Sequence, residues 1–289
     1  MSELISSREN QAGSLDQTIN VALDGLTAYI NAGGRGTRLN TLFTPDARLG
    51  VSKALIEIGI PPITMIEHHI NKLQDAGISN IVVGVGDHDN VARFVQETHP
   101  GQDSIHTVYT SEQLGTGGDL VRAIRAHDDI FDDQILITNV DTLVDLDEAA
   151  IVEFHRSKQS DLTIGLTLNK GVPNEHAYFV GHSDEVVYSN ELSGNIRSKE
   201  EALTITKYRG SSTGMLVAQK AAIREIGWQP SDGPLSLYKD VAAFVLTQGM
   251  MYAYNNDQRL FSDIGTVDTW NDFQHHTSAW QRYIHYKKQ

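Results

Sequence analysis

LTAYINAGGRGTRL, residues 26–39, decides how the rest of the chain is read. Its first half, with Ala28, Tyr29 and Ile30 in succession, predicts a buried strand. Its second half, from Ala32, breaks into Gly33-Gly34-Arg35-Gly36-Thr37-Arg38. Closely spaced glycines give up conformational entropy and side-chain packing. A chain accepts that where the backbone must turn sharply or where something must come close. Nucleotide phosphate is one such ligand: backbone amides converge on the anion and Arg38 adds a charged fork. An ordinary strand-to-helix turn is the other reading of the same residues.

Outward from this stretch, strand and helix alternate. Met65, Ile66, Ile70, Leu73 and Ala76 recur at helical spacing, and Gly77 makes a stop. Residues 78–85 read as a buried strand, 89–97 as a helix and 105–109 as a strand. The alternation predicts a parallel sheet with helices on both faces and a ligand at the carboxyl ends of the strands. Leu114-Gly115-Thr116-Gly117-Gly118 then reads as a second glycine-rich loop, before a helix at 119–126. Two such loops after strands of one sheet point to a nucleotide more strongly than one. The apolar strand at 134–138 ends in Asn139-Val140-Asp141. Asp141 there is either a ligand of a hard divalent cation such as Mg²⁺ or a helix cap, a task Asp145 or Asp147 can also take. Lys53 is either a phosphate partner or a solvated surface residue.

Further on, residues 162–168 read as a strand, and 177–180 with 185–188 as a hairpin. Residues 203–207 read as a strand ending in Lys207, with Arg209 beyond it. Residues 211–214 read as a polar turn, 219–226 and 235–247 as helices, and 250–255 as a strand. Thr266 can cap the last helix, which leaves Asp263 free for another task. The chain has 289 residues, within reach of one large α/β domain. We expect a solvated tail over 1–24 and a single domain over 25–289, its core at 26–160 and a substrate-covering part at 161–289. The net charge of -14 argues against a nucleic-acid partner. No apolar run is long enough to span a membrane, and the first residues lack the pattern of a secretory signal. Cysteine is absent, which excludes disulfides and is compatible with a cytoplasmic location.

In this order, Gly33-Gly34-x-Gly36-Thr37-Arg38-Leu39, Lys53, Leu114-Gly115-Thr116-Gly117-Gly118, Asp141 and Asp263-Ile264-Gly265-Thr266 resemble the sugar-1-phosphate nucleotidyltransferase family. The resemblance implies a Rossmann-like three-layer α/β/α fold with a mostly parallel mixed sheet and a β-rich sugar-binding region. It implies an enzyme that joins a nucleoside triphosphate to a sugar- or cyclitol-1-phosphate and releases pyrophosphate. By the resemblance, Ala32, Gly33, Gly34, Gly36 and Thr37 wrap the nucleotide, and Leu114, Gly115, Thr116 and Gly117 line the base and ribose. Arg38 and Lys53 serve the triphosphate. Asp141 and Asp263 hold Mg²⁺. Lys207, Arg209, Thr213 and Gly214 lie at the sugar phosphate. A homo-oligomer, dimer or tetramer, is implied as well, and the Leu-Gly-Thr-Gly-Gly form resembles members that use GTP.

The chain departs from the family pattern on the sugar side. Thr206-Lys207-Tyr208 stands where Glu-Lys-Pro is usual, and Tyr178-Phe179-Val180 where Tyr-Gly-Val is usual. Asn139 replaces a glycine, and residues 43–51 are an insertion. Two other readings stand beside this one. A non-catalytic relative that binds a nucleotide sugar fits the altered sugar side. A dinucleotide-dependent oxidoreductase shares the first loop, but Leu39 occupies the place of its third glycine.

Overall fold

The computed structural model describes residues 23–34, 39, 52–110, 114–168, 177–192, 194–256 and 260–285. Gly36, Thr37, Arg38, the 43–51 insertion and residues 1–22 of the expected tail lie outside this set. Strand β1, Leu26–Asn31, is buried along its whole length. Two short strands, β2 (Glu57–Ile58) and β3 (Ile63–Thr64), follow it as a separate antiparallel pair. β1 itself lies between two parallel neighbours, β4 (Ile81–Gly86) and β6 (Gln134–Asn139), with Tyr29 opposite both Val82 and Ile137. β5, Ile105–Tyr109, adds outside β4, again in parallel. Strands covered on both faces carry near-continuous apolar runs, as β1 and β4 do.

Alternate residues of β1 feed two cores. Ala28 and Ile30 pack with helices α1 (Met65–Asp75), α2 (Asp89–Thr98), α4 (Glu148–Lys158) and α8 (Val267–His275). Tyr29 packs on the other face with α3 (Gly115–Ala126), α6 (Lys220–Arg224) and α7 (Ala242–Gln248). The result is the three-layer α/β/α arrangement expected from the alternation. Local signals fix the helix starts. Thr64, Asp147 and Thr266 cap α1, α4 and α8 through their side-chain oxygens. With Asp147 on α4, Asp141 is not needed as a cap.

β11, Tyr208–Gln219, ties the second half of the chain to the first. It runs antiparallel to β6 through Met215–Gln219 and antiparallel to β9 (Ala177–Val180) through Tyr208–Ser211. Its other edge holds β8 (Leu162–Thr167), with β12 (Met251–Asn255) beyond. β10, Val186–Ser189, completes the expected hairpin with β9. Since β6 and β9 share one edge of β11, Ser212, Thr213 and Gly214 fall in the gap between them.

Three local expectations are corrected. Residues 203–205 belong to a helix, α5 (Lys199–Ile205), because Ser198 and Glu201 form a capping box and Ala202 is buried. The β-branched Thr204 and Ile205 at its end gave the strand signal. Residues 211–214 are not a turn but an irregular stretch of β11, where the register shifts and Gly214 adopts φ 78°. Gly115–Gly118 are not a loop but the first turn of α3.

Candidate active site

The site grows from the carboxyl end of the central strands. β6 stops at Asn139, the amide of Val140 donates to Asn31 O at 3.1 Å, and Asp141 follows at the crossing. The chain continues as β7, Thr142–Val144, which pairs antiparallel with β13, Phe261–Asp263. In that ladder Asp263 stands opposite Thr142, and the amide of Ile264 donates to Asp141 O at 2.9 Å. This small ladder brings together two carboxylates far apart in sequence.

Lys53 reaches the same point. It opens a single 3₁₀ turn, Lys53–Leu55, capped by Ser52, and its stem is buried. Its Nζ lies 2.6 Å from Asp141 Oδ2. Gly265 measures how tightly the three converge. A Cβ built there would stand 2.7 Å from Asp263 Oδ1, 3.2 Å from Asp141 Oδ2 and 3.2 Å from Lys53 Nζ. Two converging carboxylates are the donors that a hard divalent cation takes, alongside phosphate oxygens. The residues therefore fit such a metal.

These groups line a cleft of about 550 Å³. Gly34, past β1, and Thr116 line it, as do Glu191, Ser211, Ser212 and Gly214 on the β10–β9–β11 side of the sheet, with Tyr238 and Phe261. Asn139 Nδ2 donates to the Tyr238 hydroxyl at 3.0 Å. Burial and the charge of Asp141 push the Tyr238 phenol well above its ordinary range. Glu191, just past β10, accepts from the Tyr178 hydroxyl. Among the described residues lining the cleft, Asp141, Asp263 and Glu191 face one cation, Lys53. A larger hollow of about 910 Å³ lies between α2 and the edge strand β5. It is lined along the strand rather than at the carboxyl ends of the sheet, and it contains none of the converging groups.

The other residues expected at the site fall in different places. Ala32 is buried, its amide bonded to Gly84 O at 2.9 Å. Gly33 presses on Gly86, where a Cβ would stand 2.9 Å from the Gly86 nitrogen. Of Leu114, Gly115, Thr116 and Gly117, only Thr116 lines the cleft. Gly115 and Gly117 instead make room for residues 235–241: Cβ atoms there would meet Leu235 O at 2.6 Å and Val241 Cγ2 at 2.8 Å. The Leu235 carbonyl accepts from Gly117 N at 2.9 Å, so the start of α3 is capped from within the chain. Thr213 is buried and donates to Gly165 O at 3.0 Å, facing β8. Lys207 is half-exposed and points to Asp184, 3.4 Å away on the β9–β10 turn. Arg209 lies over the Phe179 ring at 5.5 Å. Neither basic group lines the cleft.

Sequence reading missed Glu191, Tyr238 and Phe261, and took Ser211 and Ser212 only as turn residues. Glu191 carried a usable signal, an acid directly after the second strand of the hairpin. Tyr238 carried none, since it read as one more position of a helix. Asp119 was missed as well. It is buried in α3, and burial pushes its carboxyl up to about 6, against the lowering effect of the nearby Thr110 hydroxyl.

A mannose-1-phosphate guanyltransferase of Yarrowia lipolytica is 31% identical over 146 residues, which is 49% of this chain and 38% of that protein. The chain thus spans under two fifths of the length of this curated relative. HddC from Yersinia pseudotuberculosis superposes with a TM-score of 0.61 at 20% identity, covering 85% of this chain and 96% of that one. The inositol-1-phosphate CTP transferase from T. maritima gives a TM-score of 0.63 at 12% identity, covering 89% and 96%. These two likenesses are of fold. The sequence model of the MobA-like NTP transferase domain matches residues 28–236, and the chain belongs to that family.

Proposed function

We propose that the chain is a sugar-1-phosphate nucleotidyltransferase. It transfers a nucleoside monophosphate from a triphosphate to the phosphate of a sugar- or cyclitol-1-phosphate. An oxygen of the acceptor phosphate attacks the α-phosphorus, the bond to the β-phosphate oxygen breaks, and pyrophosphate leaves with the electron pair. The nucleophile is already an anion, so no general base is needed, and catalysis rests on positioning and electrostatics. The observation that carries this reading is the convergence of Lys53, Asp141 and Asp263 at the end of β6, in a cleft with two distinct ends.

Each end suits one substrate. Gly34 and Thr116 suit the triphosphate, and by the family resemblance Arg38 serves it as well. The hydroxyl-rich end with Glu191, Ser211, Ser212 and Tyr238 suits a polyhydroxylated acceptor. Lys53 is the cation placed to neutralise phosphate, through charge-assisted bonds of roughly 1.5–3 kcal/mol each. Asp141 and Asp263 would hold a divalent metal, which we take as Mg²⁺. When bound, the metal supplies charge neutralisation and polarisation at the transferring phosphoryl group. The resemblance also supports GTP as donor, a homo-oligomeric dimer or tetramer, and a cytoplasmic location.

Pyrophosphate release, measured with a panel of triphosphates and sugar phosphates, tests the reaction. Asp141→Asn is expected to lose most of kcat while triphosphate binding changes only modestly. Near-normal turnover in that variant would overturn the metal assignment.

A further inference from the structure

Asp119 is a buried carboxylate that the reaction above does not use. It lies in α3, 8% exposed, and its Oδ1 has no hydrogen-bond partner. No lysine, arginine or histidine pairs with it among the described residues. Such a group costs stability, and natural structures retain few of them. Its place is specific. A Cβ on Gly33 would stand 3.4 Å from Asp119 Oδ2, and the Asp119 charge also acts on the buried Tyr29 phenol of β1. Gly33 lies just past β1, Gly86 ends β4 and Thr110 follows β5. Asp119, with the Thr110 hydroxyl beside it, therefore sits at the carboxyl edge of β1, β4 and β5, the side of the sheet away from β10 and Glu191.

In the proposed reaction the triphosphate lies over Lys53 and Asp141, and the Glu191 end belongs to the acceptor. The nucleoside must then run the other way, toward Gly33 and Asp119. An ionised carboxylate only accepts hydrogen bonds. Along its pairing edge, guanine presents two adjacent donors, N1–H and the 2-amino group. Uracil and thymine flank their single N–H with carbonyls, and adenine and cytosine pair an amino group with a bare ring nitrogen. We propose that Asp119 is the specificity residue for the base, and that the base is guanine, held through N1–H and the 2-amino group. The inference rests on the nucleotidyl-transfer reading for the direction in which the nucleoside lies.

The test compares the full-length chain with Asp119→Asn and Asp119→Ala. Binding of GTP, ITP, XTP, UTP and CTP is measured by calorimetry, and pyrophosphate release is followed in parallel. The unchanged chain is expected to prefer GTP over ITP, which lacks the 2-amino group, and over XTP, which has a carbonyl there, by on the order of 10- to 100-fold. Asp119→Asn, which can donate to that carbonyl, should turn the preference from GTP toward XTP. Asp119→Ala should bind GTP and ITP alike. If Asp119 only fills the core or holds a water, both variants shift all triphosphates together and leave the ratios unchanged, which overturns the assignment. Pyrophosphate release that proceeds best with UTP or CTP also overturns it and leaves nucleotidyl transfer standing. The calorimetric ratios read the base contact even where no pyrophosphate is released, so failure of the reaction and failure of the base assignment are told apart.

Discussion

Gly265→Ala should separate stability from activity. Gly265 is buried, and its φ lies outside the left-handed region, so its backbone accepts an L side chain. Substituting alanine for glycine at such a position stabilises by about 0.4–1 kcal/mol, because the unfolded chain loses freedom. In a domain of this size that raises Tm by roughly 1–4 °C. The new methyl meets the site, however. It would stand 2.7 Å from Asp263 Oδ1, where ordinary contact begins at 3.4 Å. The Asp263 carboxylate must therefore withdraw by about 0.7 Å, the difference between those distances. It is the tip of a side chain in an exposed residue, but the move stretches the bond it accepts from the Gly265 amide at 2.6 Å, which offsets part of the backbone gain. Asp141 Oδ2 and Lys53 Nζ, each at 3.2 Å, must yield by a few tenths of an ångström. Misplacement on the order of 1 Å costs about 10²-fold in rate, so a loss of roughly 10- to 100-fold in kcat is expected, with a higher Mg²⁺ requirement. Thermal unfolding and a magnesium titration of pyrophosphate release read the two effects. Full activity with an unchanged magnesium requirement would refute the assignment of Asp141 and Asp263 to one centre. A fall in Tm would show that loss of the bond between the Gly265 amide and Asp263 outweighs the backbone gain.

Asp119→Asn should stabilise the protein in a pH-dependent way. The carboxyl is raised from 3.8 to about 6 in the folded chain, which therefore binds the proton more tightly than the unfolded chain does. Stability contributed by this group is present below pH 4 and is lost as pH rises through 6, an effect on the order of 3 kcal/mol. Urea denaturation should find the variant more stable than the parent at pH 7.5 and equal to it near pH 4; equality at both values would sink the argument. The buried pair of Lys72 and Glu148 gives another test, since Lys72 also donates to Leu146 O at 3.2 Å and so joins α1 to the start of α4. Lys72→Met leaves Glu148 buried alone and should cost about 3–5 kcal/mol, most of it regained on adding Glu148→Gln, as read by chemical denaturation.

The periodic parts of the fold were legible because period and burial are local properties. α1, α2, β4, β5 and β6 follow from apolar spacing alone, and their parallel order from alternation. The position of Asp141 was legible for the same reason: it follows an apolar strand, and the carboxyl end of such a strand faces the crevice. For Asp263 the residues said only that it was free for another task, since Thr266 can cap α8; its place beside Asp141 came from the family resemblance. The expected site residues that the structure places away from the cleft share a physical cause. Gly115 and Gly117 read as a ligand loop, whereas the structure puts them under Leu235 and Val241. A glycine that admits a ligand and a glycine that admits another piece of backbone look alike in sequence. Lys207 matched a family motif by order, but the capping box at Ser198 makes the preceding residues helical, and the lysine emerges on the side of Asp184.

The end of the cleft that we assign to the acceptor was the least legible part because it is made by an interruption. In sequence, residues 211–217 read as a polar turn followed by an apolar run, and the structure shows one strand, β11, that serves two partners on a single edge. β9 takes its first part and β6 its last. Over the intervening residues, Gly214 passes so close to Thr142 that a Cβ would stand 2.8 Å from the threonine hydroxyl oxygen. Thr213 is meanwhile held to β8, which leaves Ser211, Ser212 and Gly214 along the cleft. The same interruption makes the cleft and decides which side chains face it. A substitution at Ser211 or Ser212 therefore alters that end without touching the β7–β13 ladder, whereas one at Gly214 would press on Thr142, the partner of Asp263 in that ladder. Two separately anchored halves allow one family to keep the phosphoryl chemistry while the acceptor changes, which fits a chain whose departures from the family pattern gather on the acceptor side.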